Sequence, residues 1–130
     1  PLMQDPENHL KMKTAADLSL HSSALSGKIK TAVTHYHTLF SSQDWSLITL
    51  KLDTGRTHQI RVHMASTGHP LLGDDVYGSG RSPFKLTGQT LHAGVLGFIH
   101  PTSKEYVEYS APLPEYFKMI LDKLRKQVII

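Results

Sequence analysis

Thr54-Gly55-Arg56-Thr57-His58-Gln59-Ile60-Arg61-Val62-His63 gathers two guanidiniums, two imidazoles, an amide and threonine hydroxyls into one short run. Thr54-Gly55 ends a strand pattern, and Thr57 is predicted to be the N-cap of a short helix from His58 to about Ser66. Gly68 suits the C′ position of that helix, with Pro70 just beyond it. A strand-to-helix junction concentrates unpaired N–H groups and the positive end of a helix dipole, so it favours an anion, either phosphate or carboxylate. On the helix, His58 and Arg61 stand at i and i+3 and share a face, while Ile60 and Met64 stand at i and i+4 on another. One side can pack while the other reaches a site. The same residues fit a plainer role too: an arginine at a helix start often makes a surface ion pair worth less than about 1 kcal/mol, and histidine is often a satisfied, half-buried polar residue. Spacing alone does not separate the two.

Upstream of this run, Thr31 to Phe40 alternates, with Ala32, Thr34, Tyr36 and Thr38 on one face and Val33, His35, His37 and Leu39 on the other. It is rich in β-branched and aromatic residues, as a strand should be. Ser41-Ser42-Gln43-Asp44 makes a polar turn, after which Trp45 to Leu52 alternates again and completes a predicted antiparallel hairpin. Downstream, Gly73-Asp74-Asp75 and Tyr77-Gly78-Ser79-Gly80 read as loop. Leu91 to Ile99, the turn His100-Pro101-Thr102-Ser103-Lys104 and Glu105 to Ser110 read as a second hairpin. Pro114 suits the first turn of a last helix in which Phe117, Ile120, Leu121 and Leu124 form an apolar stripe at i, i+3, i+4 and i+7. Glu115 at its start and Lys123, Arg125 and Lys126 at its end complement the helix dipole. Residues 1–30 read as mostly loop and residues 31–126 as hairpin, helix, hairpin, helix. The fold class is therefore α+β, with a largely antiparallel or mixed sheet and two helices, in a single stretch over 1–130.

The 130 residues, 39% hydrophobic and 19% charged, are enough for a soluble globular domain with a core of its own. No apolar run approaches the roughly 18 to 20 residues that span a bilayer, so an intracellular, cytoplasmic protein without a membrane partner is expected. A start at Pro1 rather than Met is expected of a piece of a longer protein. With no cysteine, disulfides, thiolate catalysis and cysteine-based zinc sites are excluded within this sequence. The formal charge of +3 permits a nucleic-acid partner, and residues 8–64 hold seven Lys or Arg against three acids. Scattered solvating lysines account for such an excess equally well.

The run from Thr54 to Ala65, continued by Gly68-His69-Pro70-Leu71-Leu72-Gly73-Asp74 and Val76-Tyr77-Gly78, resembles the late motif of RluA-type RNA pseudouridine synthases. The resemblance extends upstream to Pro1-Leu2, Asp5-Pro6, Lys11-Met12 and Ala32-Val33-Thr34-His35-Tyr36, and downstream to Leu91-His92-Ala93, Phe98, His100-Pro101 and Ala111-Pro112-Leu113-Pro114. It implies the C-terminal portion of a catalytic domain built on a long curved sheet, which isomerises uridine in RNA to its C5-glycoside without a cofactor. Ribosomal RNA is the first expected substrate class and transfer RNA the second. The nucleophile of such enzymes is an aspartate in a His-Arg-Leu-Asp motif, and that motif does not occur in this sequence. Asp5, Asp17, Asp44 and Asp53 stand in other contexts.

What the resemblance carries over is Arg61, as the expected partner of that nucleophilic carboxylate. A guanidinium can hold a carboxylate bidentately and keep it ionised. Without that partner, Arg61 is expected to be exposed, to bind a solvent anion or to pair with another acid. Arg56, His58, Gln59 and Lys11 are expected to orient the loop or contact RNA, and Tyr77 to be structural. His58, His63 and His69, or His35 and His37 on one strand face, can be imagined as metal ligands, but no acid is expected in register with them and no metal is assigned. An open sheet edge would leave room for an oligomer.

Overall fold

The computed structural model describes residues 2–4, 12–14, 29–80, 82 and 84–128. Its elements are β1 (Leu2–Gln4), β2 (Met12–Thr14), β3 (Thr34–Ser41), β4 (Ser46–Leu52), α1 (Gln59–Ser66), β5 (Val95–Ile99), β6 (Tyr106–Ser110) and α2 (Glu115–Val128). The described strands pair as three antiparallel ladders, β1 with β2, β3 with β4 and β5 with β6. This is a small α+β arrangement of two helices and separate two-stranded sheets. Within the opening thirty residues, expected as mostly loop, Leu2 pairs with Thr14 and Gln4 with Met12. The chain divides into two compact units, residues 1–89 and 90–130.

In the first unit, β3 and β4 meet with Thr34 opposite Leu52, His35 opposite Lys51, Tyr36 opposite Leu50 and Thr38 opposite Ile48. The register then shifts between Thr38 and Phe40, so that Phe40 faces Leu47 and Leu39 is the extra residue of a β-bulge. Beside the bulge, Phe40 is half-buried and Leu39 exposed. The connecting turn is closed from both sides by Ser42, whose N–H donates to the Trp45 carbonyl (2.7 Å) while its Oγ accepts from the Trp45 N–H (3.1 Å). The Trp45 and Phe84 rings lie 6.5 Å apart in a tilted contact.

Helix α1 lies against β2 and β3 and buries Gln59 and Val62. Its start differs from the expectation. Thr57 is not the N-cap; His58 is, in a left-handed conformation at φ 53° with no side-chain capping bond. Its C-terminus follows the sequence closely. Gly68 takes φ 83°, its N–H donates to the Ala65 carbonyl (3.0 Å), and the His69 N–H donates to the Met64 carbonyl (2.9 Å). Those are the two bonds of a Schellman motif, and they need a residue at C′ that accepts positive φ. Gly73, also at positive φ, has in addition no room for a side chain, since a Cβ there would run into the Gly88 carbonyl oxygen.

In the second unit, β5 and β6 pair from Val95 opposite Ser110 to Ile99 opposite Tyr106. Residues 91–94 lie outside the strand, a correction to the expected start at Leu91. Gly94 still accepts a bond from the Ala111 N–H (2.9 Å), and the His92 ring reaches the Ala111 carbonyl (3.0 Å). The turn is organised by His100, whose Nδ1 accepts from the N–H groups of Thr102 and Ser103. In α2 the Pro114 carbonyl accepts the N–H groups of Phe117 and Lys118, so Pro114 precedes the helix and Glu115 opens it. Ile120 is buried, and Phe117, Leu121 and Leu124 are half-buried beside it, as the stripe predicts.

Gly68 and Gly73, both at positive φ, should respond differently to alanine. Gly68→Ala meets no neighbouring atom and should cost about 1 kcal/mol, the price of a Cβ in the left-handed region. Gly73→Ala adds a clash with backbone and should cost clearly more. Urea unfolding of the two variants checks the order.

Candidate active-site half around Arg61

One side chain fastens the junction between β4 and α1. Gln59 is 3% exposed, yet its amide makes four hydrogen bonds. Its Oε1 accepts from the Thr54 hydroxyl (2.8 Å) and the Arg56 N–H (2.9 Å), and its Nε2 donates to the Val33 carbonyl (3.0 Å) and the Thr34 hydroxyl (2.9 Å). The bond back to the N–H three residues earlier has the form of the reach-back half of a capping box. Thr54 Oγ1 in turn accepts the Val33 N–H (2.9 Å), so the loop and β3 are joined at both ends. Gln59 thus orients the loop from inside, with its donors and acceptors all used.

The network continues to His63. Thr34 Oγ1 accepts from Gln59 and lies 2.8 Å from His63 Nδ1, a hydrogen bond whose direction follows the His63 tautomer. Burial holds the His63 imidazole pKa below its ordinary value because the charged form would lose solvation.

Arg61 is paired with another acid, the last of the three expected outcomes. Its Nε donates to Asp74 Oδ2 (2.8 Å) and its Nη2 to Asp74 Oδ1 (3.0 Å), a bidentate bridge in which the Arg61 side chain is 12% exposed and the Asp74 side chain 0%. Asp74 Oδ1 also accepts the N–H groups of Val76 and Tyr77, each at 3.1 Å. Burial alone would raise the Asp74 pKa. The Arg61 bonds and the two backbone N–H groups outweigh it and hold the carboxyl below the usual carboxylate range, while the bond to Asp74 raises the Arg61 pKa.

Tyr77 completes the cluster. Its ring lies 5.0 Å from the Arg61 guanidinium carbon in a cation–π contact, and its hydroxyl is 2.7 Å from His58 Nδ1. His58 and Arg61 thus converge on one tyrosine, although His58 is outside the helix. Sequence reasoning left both Asp74 and Tyr77 out of the site. The signal that could have found them is their place in the same Gly73-to-Gly78 continuation of the motif that carries Arg61.

The other expected residues are more peripheral. Arg56 is exposed, its Nε donating to the Thr31 carbonyl (3.1 Å). Lys11 lies outside the described residues. An acid does stand beside the histidine strand, contrary to the expectation: Asp53 Oδ2 is 2.7 Å from His35 Nε2, on the surface. Among the described residues no group of three or more His, Asp or Glu is placed to hold a metal ion. Nor is any helix among them long and apolar enough to cross a membrane.

A family model described as RNA pseudouridylate synthase matches residues 3–66, a span that includes β3, β4 and Arg61. The chain belongs to the RluA-type family of RNA pseudouridine synthases. Among curated proteins it is 56% identical over 97 residues to the uncharacterised RNA pseudouridine synthase YlyB of Bacillus subtilis, covering 75% of this chain and 32% of that protein. It is 41% identical over 125 residues to an uncharacterised RNA pseudouridine synthase of Chloroflexus aurantiacus, covering 96% and 36%. It is 40% identical over 131 residues to the ribosomal large subunit pseudouridine synthase D of Zymomonas mobilis, covering 95% and 38%. The chain spans about a third of the length of these relatives.

Two measurements probe this half-site. Gln59→Leu strands the Arg56 N–H and the Thr54 hydroxyl proton, leaves the Val33 carbonyl with the Asp53 N–H alone, and should destabilise the fold by about 2 kcal/mol in urea unfolding. Stability should also depend on pH in two steps. His63 has a depressed folded-state pKa, so the unfolded chain binds its proton first; stability is full above about pH 6.5 and falls as pH drops below it. Asp74, also depressed, contributes above its unfolded value near pH 4 and loses that contribution as pH falls through the lower folded value. In His63→Gln the first step should vanish from a pH series of unfolding midpoints while the second remains.

Proposed function

We propose that the protein carrying this chain isomerises uridine in structured RNA to pseudouridine, that the chain forms the C-terminal portion of the catalytic domain, and that Arg61 pairs with the nucleophilic aspartate. The observation that carries this reading is a guanidinium fixed at a strand-to-helix junction, inside the segment matched by the family model. Asp74 is not that nucleophile, because both its oxygens are engaged and its side chain has no exposed surface. The nucleophile therefore comes from residues beyond this sequence, which lacks the His-Arg-Leu-Asp motif. Large-subunit ribosomal RNA is the first substrate to try, following the name of the Zymomonas mobilis relative, with transfer RNA second. Exposed Arg56 and half-buried His58 are available for RNA contacts at the same junction. No cofactor is needed for the reaction, and a cytoplasmic location suits an enzyme acting on ribosomal RNA.

The same absence supports a second reading for the chain taken alone, as an RNA-binding or structural piece without turnover. Pseudouridine formed by the isolated 130-residue chain would overturn the requirement for an external aspartate. In the full-length protein, Arg61→Ala should lower turnover by roughly 10²–10³-fold, the scale of losing one preorganised electrostatic contact, with RNA affinity little changed. Quantifying pseudouridine in RNA after single-turnover incubation checks it; unchanged turnover would remove Arg61 from the catalytic role.

A further inference from the structure

We infer that Asp74 is a positioning residue for Arg61, holding one edge of the guanidinium so that the opposite edge is presented to a second carboxylate. The inference rests on the reading of Arg61 given above and extends it to a residue that does not touch substrate.

A guanidinium has five N–H donors in a rigid plane and can be gripped along more than one edge. Asp74 takes the edge formed by Nε and Nη2. Nη1 has no acceptor among the described residues, and with the second Nη2 proton it forms another two-pronged edge on the same plane. A carboxylate arriving there would be held bidentately, in line with the first.

The clamp is itself immobilised. Asp74 is fully buried and anchored by the Val76 and Tyr77 N–H groups, and the turn before it is set by Gly73 at φ 82° with no space for a Cβ. The Tyr77 ring lies against the guanidinium, and the Tyr77 hydroxyl is tied to His58. Rotation about the last Arg61 torsions would therefore break two charge-assisted bonds and a ring contact together. The charge balance also matters. Asp74 neutralises Arg61 while the site is empty, so the arginine can be desolvated before a nucleophile arrives. With a second carboxylate present, the pair and its guest carry one net negative charge, which sits on the guest.

The test uses the full-length protein under single-turnover conditions, with in vitro transcribed large-subunit ribosomal RNA and transfer RNA as probes. Asp74→Asn keeps the shape and removes the charge; it should lower the rate at least about tenfold with RNA affinity within about twofold, because misplacement acts on the chemical step rather than on binding. Arg61→Ala should lose more, and the Asp74→Asn, Arg61→Ala double variant should be no slower than Arg61→Ala alone, since Asp74 acts only through Arg61. Additive losses would assign Asp74 an independent structural effect and overturn the inference. A normal rate in folded Asp74→Asn beside a dead Arg61→Ala would overturn it too, while leaving the functional reading intact. Should Asp74→Asn not fold, Arg61→Lys decides. It keeps the charge opposite Asp74 but has no second edge, so a rate near that of Arg61→Ala supports the two-edged grip and a rate within about threefold of wild type overturns it. If the wild-type protein converts neither RNA, or Arg61→Ala turns over normally, the functional reading itself falls, and this inference with it.

Discussion

A carboxylate without exposed surface must be neutralised where it sits, and the segment from Gly55 to Gly80 is arranged around that requirement at Asp74. Pairing with Arg61 fixes which face of α1 turns toward the loop, and the two backbone N–H groups fix how the loop turns after Gly73. Such a pair adds little net stability, since the attraction is spent largely on desolvation, yet removing one partner typically costs about 3–5 kcal/mol. Its effect is to exclude other arrangements of the loop.

Gln59 plays the corresponding part on the other side of α1. A neutral amide with two donors and two acceptor positions can join a strand end, a loop and a hydroxyl without carrying charge into the interior. Because its partners include Thr34, the network that holds the helix in place also reaches His63, whose charging is opposed by burial. Positioning of α1, and so of Arg61, is shared between a polar lattice facing β3 and an ionic clamp facing the loop.

How much of this was legible in the sequence follows from how local each feature is. The Schellman end at Gly68, the hairpin turns at Ser42 and His100 and the stripe on α2 depend on neighbours within a few residues, and the sequence pattern located them. The bulge at Leu39 was not legible, since strict alternation has no mark for an extra residue opposite one partner. The left-handed His58 was missed because Thr57 is the better capping residue by type, while the actual start is dictated by Gln59 and Tyr77 through side-chain bonds. In Asp74-Asp75, one residue is buried and its neighbour exposed. Nothing local distinguishes them; the difference lies in Arg61. Arg61 itself was singled out through resemblance, and its partner became visible only in three dimensions.

The clamp has one further property, which concerns time rather than geometry. Asp74 lies 13 residues from Arg61 and Tyr77 lies 19 from His58, whereas Gln59 reaches across 26 residues to Val33. Loops of about ten residues close in roughly 10–100 ns, and longer-range pairings wait on greater losses of chain entropy. When the whole chain folds from its unfolded state, helix and loop can find each other without waiting for the longer-range contact of Gln59 with Val33, so the arginine can meet its carboxylate before the polar lattice closes.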